Sequence, residues 1–289
     1  MRTSKFLRMI SAAAVFLSFA GCEKQPTEFE DYTPQPMLSA FLYDGVPVDS
    51  VLLQRVAPLY SYYSLQDHGI AGAEIRIFPL DDPESHDTLH LIHAGSGVYR
   101  PASGENLIPR GKRHYRIEAR KADEGLYLWA ETVVPDSFSL LVNGQPPGDT
   151  LGVYTREDPN LFFQWTPSDS AGGYIFLAVC LTPVDSLLPL DPDYDPEEEE
   201  LEEEPGRAFV FPLISSQLGS SVPWISFEWV GWHRVELQAC NYEYYRYVFS
   251  LMRIEQGAMN MPEYNVQGGL GVFAGLHRIR FYLYMAQAE

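Results

Sequence analysis

Short runs of alternating apolar and polar residues, broken by Gly, Pro, Asp and Asn at intervals of about ten positions, commit this chain to β-sheets. In HYRIEAR (residues 114–120), Tyr115, Ile117 and Ala119 alternate with His114, Arg116, Glu118 and Arg120. One face of such a strand is buried and the other points outward. Residues 37–56 read as two strands joined by an Asp44-Gly45 turn. AEIRIFP, TLHLIHAGSGVYRP and HYRIEARKADEGLYLWAETVVP continue the series to Pro135.

A second unit begins after this point. LFFQWTPSDSAGGYIFLAVCL (residues 161–181) resembles a fibronectin type III strand pair, with a Trp closing one strand and a fully apolar strand returning after a polar turn. WISFEWVGWHRVELQAC (224–240) predicts two more strands, with Val235, Leu237 and Ala239 inward and Trp232, Arg234 and Glu236 on the opposite face. In the stretch after it, Tyr244, Val248, Leu251, Met252 and Glu255 fall near a 3.6-residue period, which predicts a short helix stopped by Gly257. GLHRIRFYLYM alternates again and predicts a terminal strand.

The expectation is a mainly β protein with two β-sandwich domains, following a signal peptide and a flexible stalk. Residues 37–135 resemble an immunoglobulin-like or transthyretin-like module, through Gly72-Ala73-Glu74-Ile75 and Gly97-Val98-Tyr99. Residues 136–289 form the fibronectin III-like unit, with an acidic, disordered insert expected at 184–206.

At the N-terminus, Arg2, Lys5 and Arg8 precede an apolar stretch from Met9 to Phe19, too short to span a bilayer as a helix. Ala20 and Gly21 are small and Cys22 follows, so residues 1–21 resemble a bacterial lipoprotein signal with Cys22 as the lipidated first mature residue. Ordinary cleavage after Ser18-Phe19-Ala20 is the rival reading. Several acyl chains, at roughly 0.8 kcal/mol per buried methylene, make a durable membrane tether. Residues 22–36 are polar and proline-bearing, as a stalk requires.

The formal net charge is -19, which argues against nucleic acid or anionic lipid as a partner, since both require clustered Lys and Arg. Much of the excess lies in DPDYDPEEEELEEE (191–204). Asp191, Asp193, Asp195, Glu199 and Glu202 have the spacing of a calcium-binding loop, but Pro196 stands where that loop needs a glycine. Diffuse calcium attraction by a solvated loop is the expectation, and no other cofactor is indicated. Besides Cys22, only Cys180 and Cys240 remain. They either form a disulfide in an oxidising compartment or fill the core as small thiols.

His86, His90 and His93 are close in sequence. On a strand, however, His93 points away from the other two, so a zinc site is not expected. No HExxH, GxSxG or Walker motif occurs, and the expectation is a non-enzymatic protein. Gly269, Gly271 and Gly275 leave too little chain after them for a dinucleotide fold, so close backbone packing explains them better. Aromatic residues are plentiful, with 18 Tyr and 5 Trp. Trp232, Tyr60, Tyr62 and Tyr63 could offer a flat surface to a glycan or peptide, or else pack between strands.

Four features together carry a family resemblance. These are the N-terminal signal ending at Cys22, the opening strands with Val51-Leu52-Leu53, the Glu131-Thr132-Val133-Val134-Pro135 boundary, and Tyr264-Asn265-Val266-Gln267-Gly268-Gly269-Leu270-Gly271-Val272-Phe273. They resemble the Bacteroidota lipoproteins grouped as domain of unknown function 4249. That resemblance implies a lipid-anchored outer-membrane protein of a kind often encoded beside TonB-dependent transporters, with no settled biochemical role, and it transfers no catalytic residue. An accessory or binding component at the outer membrane, with such a transporter as partner, is the expectation.

Overall fold

Most of the strands read from the sequence lie in one long sheet, in which the first strand pairs with the last. In the computed structural model, which describes residues 33–57, 64–81, 87–191, 207–213, 217–257 and 261–288, β1 (Pro36–Tyr43) runs parallel to β15 (Leu270–Met285). Residues Gln35–Glu289 form one compact unit. Among the described residues no helix is long and apolar enough to cross a membrane.

On one side of β15, the sheet continues through β1, β2 (Val51–Arg55), β5 (Val98–Pro101), β4 (Leu89–Gly95), β3 (Glu74–Pro79), β6 (His114–Lys121) and β7 (Leu126–Val133). This part rolls back on itself. The backbone N–H of Trp129 in β7 donates to the Gln267 carbonyl at 3.2 Å, and the Trp129 carbonyl accepts from the Gln267 N–H at 2.8 Å, just before β15 begins. The enclosed first core holds Leu38, Leu53, Ile77, Tyr99, Tyr115, Ile117, Val266 and Phe273.

On the other side of β15 lie β14 (Gly231–Cys240), β11 (Gly173–Cys180) and the edge strand β12 (Ala208–Leu213), while β9 (Thr150–Tyr154) pairs with the end of β15. A separate sheet of β8 (Leu140–Val142), β10 (Leu161–Trp165) and β13 (Gly219–Val222) contributes to the second core. Phe163 from the small sheet meets Phe176 and Phe281 from the large one at ring separations of 5.7 and 5.9 Å. Strands β10 and β11, read from sequence as a pair, thus face each other from different sheets.

A short helix, α1 (Leu65–His68), follows β2 in the chain. The second, α2 (Tyr242–Glu255), packs against β11, β12 and β15. There Val248 joins Ile175, Cys240, Val272, Ala274 and Leu276 in a third apolar cluster. Gly257, just beyond the helix, has φ +91°, a backbone setting suited to a helix stop.

One sequence expectation changes and one left open is decided. Residues 224–240 contain one strand, β14, rather than two. Pro223 leads into a 3-10 turn at Trp224–Ser226, and the Trp224 indole N–H donates to the Asp158 carbonyl. Burying Trp224, Phe227 and Trp229 outweighs their strand propensity. Of the two readings of Cys180 and Cys240, the structure has the second: both are buried free thiols. On the β11–β14 ladder Cys180 lies opposite His233 and Cys240 opposite Gly173. At 3.3 Å per residue they are about 23 Å apart along the strands, far beyond disulfide reach.

The glycine-rich segment near the C-terminus is explained by close approach. Gly271 has φ +108° and stands where an added Cβ would lie 2.0 Å from the Leu38 carbonyl oxygen. The Asn265 side chain accepts from the Phe273 N–H at 2.9 Å and donates to the Phe273 carbonyl at 2.8 Å. This clamp helps Val266 and Phe273 enter the first core as β15 aligns with β1.

Candidate functional site

Alternation in β6 sends Tyr115, Ile117 and Ala119 into the first core and leaves Arg116, Glu118 and Arg120 on the outward face. Strand register then sets His90, Arg76, Glu118 and Trp129 in one row across β4, β3, β6 and β7. Glu118 is buried even though it faces outward, because three arginines close over it.

Arg76 donates to Glu118 Oε2 through Nε at 3.1 Å and Nη2 at 2.7 Å. Arg120 Nη2 reaches the same oxygen at 3.3 Å. Arg116 Nε lies 3.0 Å from Oε1, and the Tyr127 hydroxyl donates to Oε1 at 3.2 Å. Burial raises the Glu118 pKa, but hydrogen bonds and charge from Arg76, the Tyr127 bond and the Arg116 charge outweigh it, so the carboxyl sits below its ordinary value.

The same arginines are braced by their neighbours. Arg116 donates to Glu131 Oε1 and to the Tyr127 hydroxyl, both at 3.2 Å, and lies 4.3 Å from the centre of the Trp129 ring. Arg120 lies 4.7 Å from the Tyr127 ring centre. Such contacts fix guanidinium groups that would otherwise swing freely.

Beside this lattice runs an open groove of about 500 Å³, lined by Arg76, Arg120, His90, His93, Glu74 and Ile92 among others. Its volume is in the range of small-ligand sites. His90 takes part through both main chain and ring, since its N–H donates to Glu105 Oε2 at 2.6 Å and Nδ1 lies 3.2 Å from the same oxygen. The backbone bond from His90 is the main reason the Glu105 pKa is lowered. His93 instead packs against the Tyr99 ring at 5.3 Å. Ile92 adds an exposed apolar side chain between the two histidines. Fixed cations beside an apolar side chain suit an extended ligand with acidic groups.

The sites expected from sequence are distributed differently. Trp232 is 44% exposed and makes a perpendicular ring contact with Tyr284, far along the sheet from the groove in strand order. Asp191 pairs with Arg156 at 2.6 Å, whereas Asp193, Asp195, Glu199 and Glu202 lie outside the described residues, as do Cys22, Tyr60, Tyr62, Tyr63 and His86. Among the described residues no three His, Cys, Asp or Glu side chains come together as metal ligands. Sequence reasoning passed over the arginine lattice, although RIEAR carried its signal in three charges on one face of a strand.

Compared with protein-family models and with curated proteins, the chain matches none of either.

Proposed function

We propose that this protein is a non-enzymatic binding component of the outer membrane, tethered through lipid on Cys22, whose groove across β4, β3 and β6 receives an acidic peptide segment of a partner. One observation carries the reading: Arg76 and Arg120 are held beside the groove by a buried carboxylate. Their donors are therefore preorganised, and little side-chain entropy is lost on binding. The two cores support an immunoglobulin-like first unit and a fibronectin III-like second unit that share β15. The partner is an outer-membrane protein, with a TonB-dependent transporter favoured by the resemblance carried on residues 264–273.

The test is a mild-detergent pull-down of the tagged full-length protein, with mass spectrometry of its partners and of its N-terminal peptide. A lipidated Cys22 and a stoichiometric membrane partner that is lost in the double variant His90→Gln, Arg120→Gln support the proposal. An unlipidated N-terminal peptide overturns the tether. A partner retained by the double variant overturns the role of the groove. Recovery of no membrane partner, together with glycan binding that depends on Trp232, would favour the alternative of a free-standing surface glycan-binding module.

A further inference from the structure

A second caged glutamate lies on the outward face of the other half of the sheet. Glu236, in the middle of β14, is 1% exposed and faces Arg280 directly across the ladder to β15. Arg280 donates to its Oε1 through Nε at 2.7 Å, with Nη2 also at 2.7 Å. The Gln238 amide donates to Oε2 at 2.7 Å. Arg234 Nε lies 3.2 Å from Oε1 but is misaligned for a hydrogen bond. Arg278 is 3.8 Å away, outside hydrogen-bond range, and stacks 4.0 Å from the Tyr43 ring centre.

This cage holds three guanidinium groups and one carboxylate. Among the described residues, both Nη atoms of Arg234 and the Nη1 of Arg280 have no hydrogen-bond partner. The three arginine side chains are 23 to 35% exposed. Two formal positive charges remain uncompensated on the outward face of a protein whose net charge is -19. Arg234 also lies opposite Tyr282, and the next row pairs Trp232 with Tyr284. Residues two apart on a strand stand roughly 7 Å apart. An aromatic platform therefore adjoins unspent guanidinium donors at the spacing of neighbouring side-chain rows.

We propose that this face binds an acidic saccharide, with the sugar ring on Trp232 and Tyr284 and its carboxylate bridging the free donors of Arg234 and Arg280. The planar guanidinium fork matches a carboxylate in a bidentate pair, and the exposed Trp232 ring, edged by the half-buried Tyr284, covers the apolar face of the sugar. Glu236 is the positioning residue: it holds the arginines upright without neutralising them. The site is separate from the groove and does not depend on the peptide reading given above.

Full-length protein in detergent is titrated calorimetrically with trigalacturonate and, in parallel, with the neutral trigalactose and with inorganic sulfate. The expected result is saturable uronate binding at least tenfold tighter than that of the neutral sugar. It weakens at least tenfold in Trp232→Ala and in Arg234→Gln, and is unchanged in Arg120→Gln. Trp232→Phe retains most of the affinity, and thermal melts of each variant establish that it is folded. Equal affinity for the neutral sugar overturns the role of the arginines. Uronate binding unaffected by Trp232→Ala, or sulfate binding as tight as that of uronate, overturns the saccharide assignment and leaves an anion site only. The whole proposal fails if trigalacturonate does not bind at millimolar concentration.

Discussion

Glu118 and Glu236 occupy corresponding places in the two halves of the sheet. Each sits mid-strand on the outward face, with an arginine two residues earlier on the same strand and another directly opposite on the neighbouring strand. Even the misfit recurs, since Arg116 Nε and Arg234 Nε both lie near their glutamate without a well-aligned hydrogen bond. The surroundings differ. Around Glu118, Glu131 and the Tyr127 hydroxyl absorb donors of Arg116, whereas around Glu236 no second carboxylate joins the cage among the described residues. A shared cage can serve as a braced wall of a groove in one place and as a half-buried cationic patch in another.

The comparison is disturbed most from β15, the strand that contributes Phe273 to the first core and Phe281 to the second. Gly271→Val places a branched side chain against the Leu38 backbone at a positive φ. The expected loss is about 3 kcal/mol or more in chemical denaturation. It should fall first on the β1–β15 pairing, visible as hydrogen exchange of β1 before β14.

Removing each buried carboxylate separates the two cages. Glu236→Gln leaves three arginines without an anion and should cost about 2 to 3 kcal/mol, less than a fully buried pair because the arginines are partly exposed. Glu118→Gln should cost about 1 to 2 kcal/mol, since Glu131 still holds Arg116. Equal losses by urea denaturation would mean that the neighbouring carboxylate does not matter.

Acid sharpens the contrast further. Because the Glu118 pKa is lowered on folding, this group contributes stability that is complete above the ordinary glutamate value of 4.5. It is lost as pH falls from there through the folded-state value. Wild type should therefore lose more stability than Glu118→Gln between pH 5 and the acid transition, measured as the shift in urea midpoint at each pH.

The smallest effects concern the strand-adjacent arginines. Arg116→Gln removes contacts to Glu131, Tyr127 and Trp129, and should cost about 1 kcal/mol. Arg234→Gln relieves like-charge crowding and should stay within about 0.5 kcal/mol of wild type. Paired denaturation curves at low salt decide this, because screening reduces the difference.

Much of this architecture was legible in the chain. Alternation in HYRIEAR and WHRVELQAC correctly sorted inward from outward residues, because a strand's period fixes the face of every side chain. It did not reveal that Glu118 and Glu236 are buried, since a long arginine laid over a neighbour covers it without altering the pattern. Nor could it supply Arg76 and Arg280, which arrive from strands distant in sequence. The β1–β15 pairing depends on contact between the two ends of the compact unit, which local periodicity does not encode. The single strand in residues 224–240 was missed because tertiary burial of Trp224, Phe227 and Trp229 overrode a run that looked strand-forming.

Side-by-side titration of hexaglutamate peptide and trigalacturonate into wild type, Arg120→Gln and Arg234→Gln tests most directly whether the two cages serve different ligands. A crossed pattern is predicted, in which Arg120→Gln weakens only the peptide and Arg234→Gln weakens only the saccharide. If either variant weakens both ligands equally, or neither variant weakens any, the division of roles between the two faces is wrong.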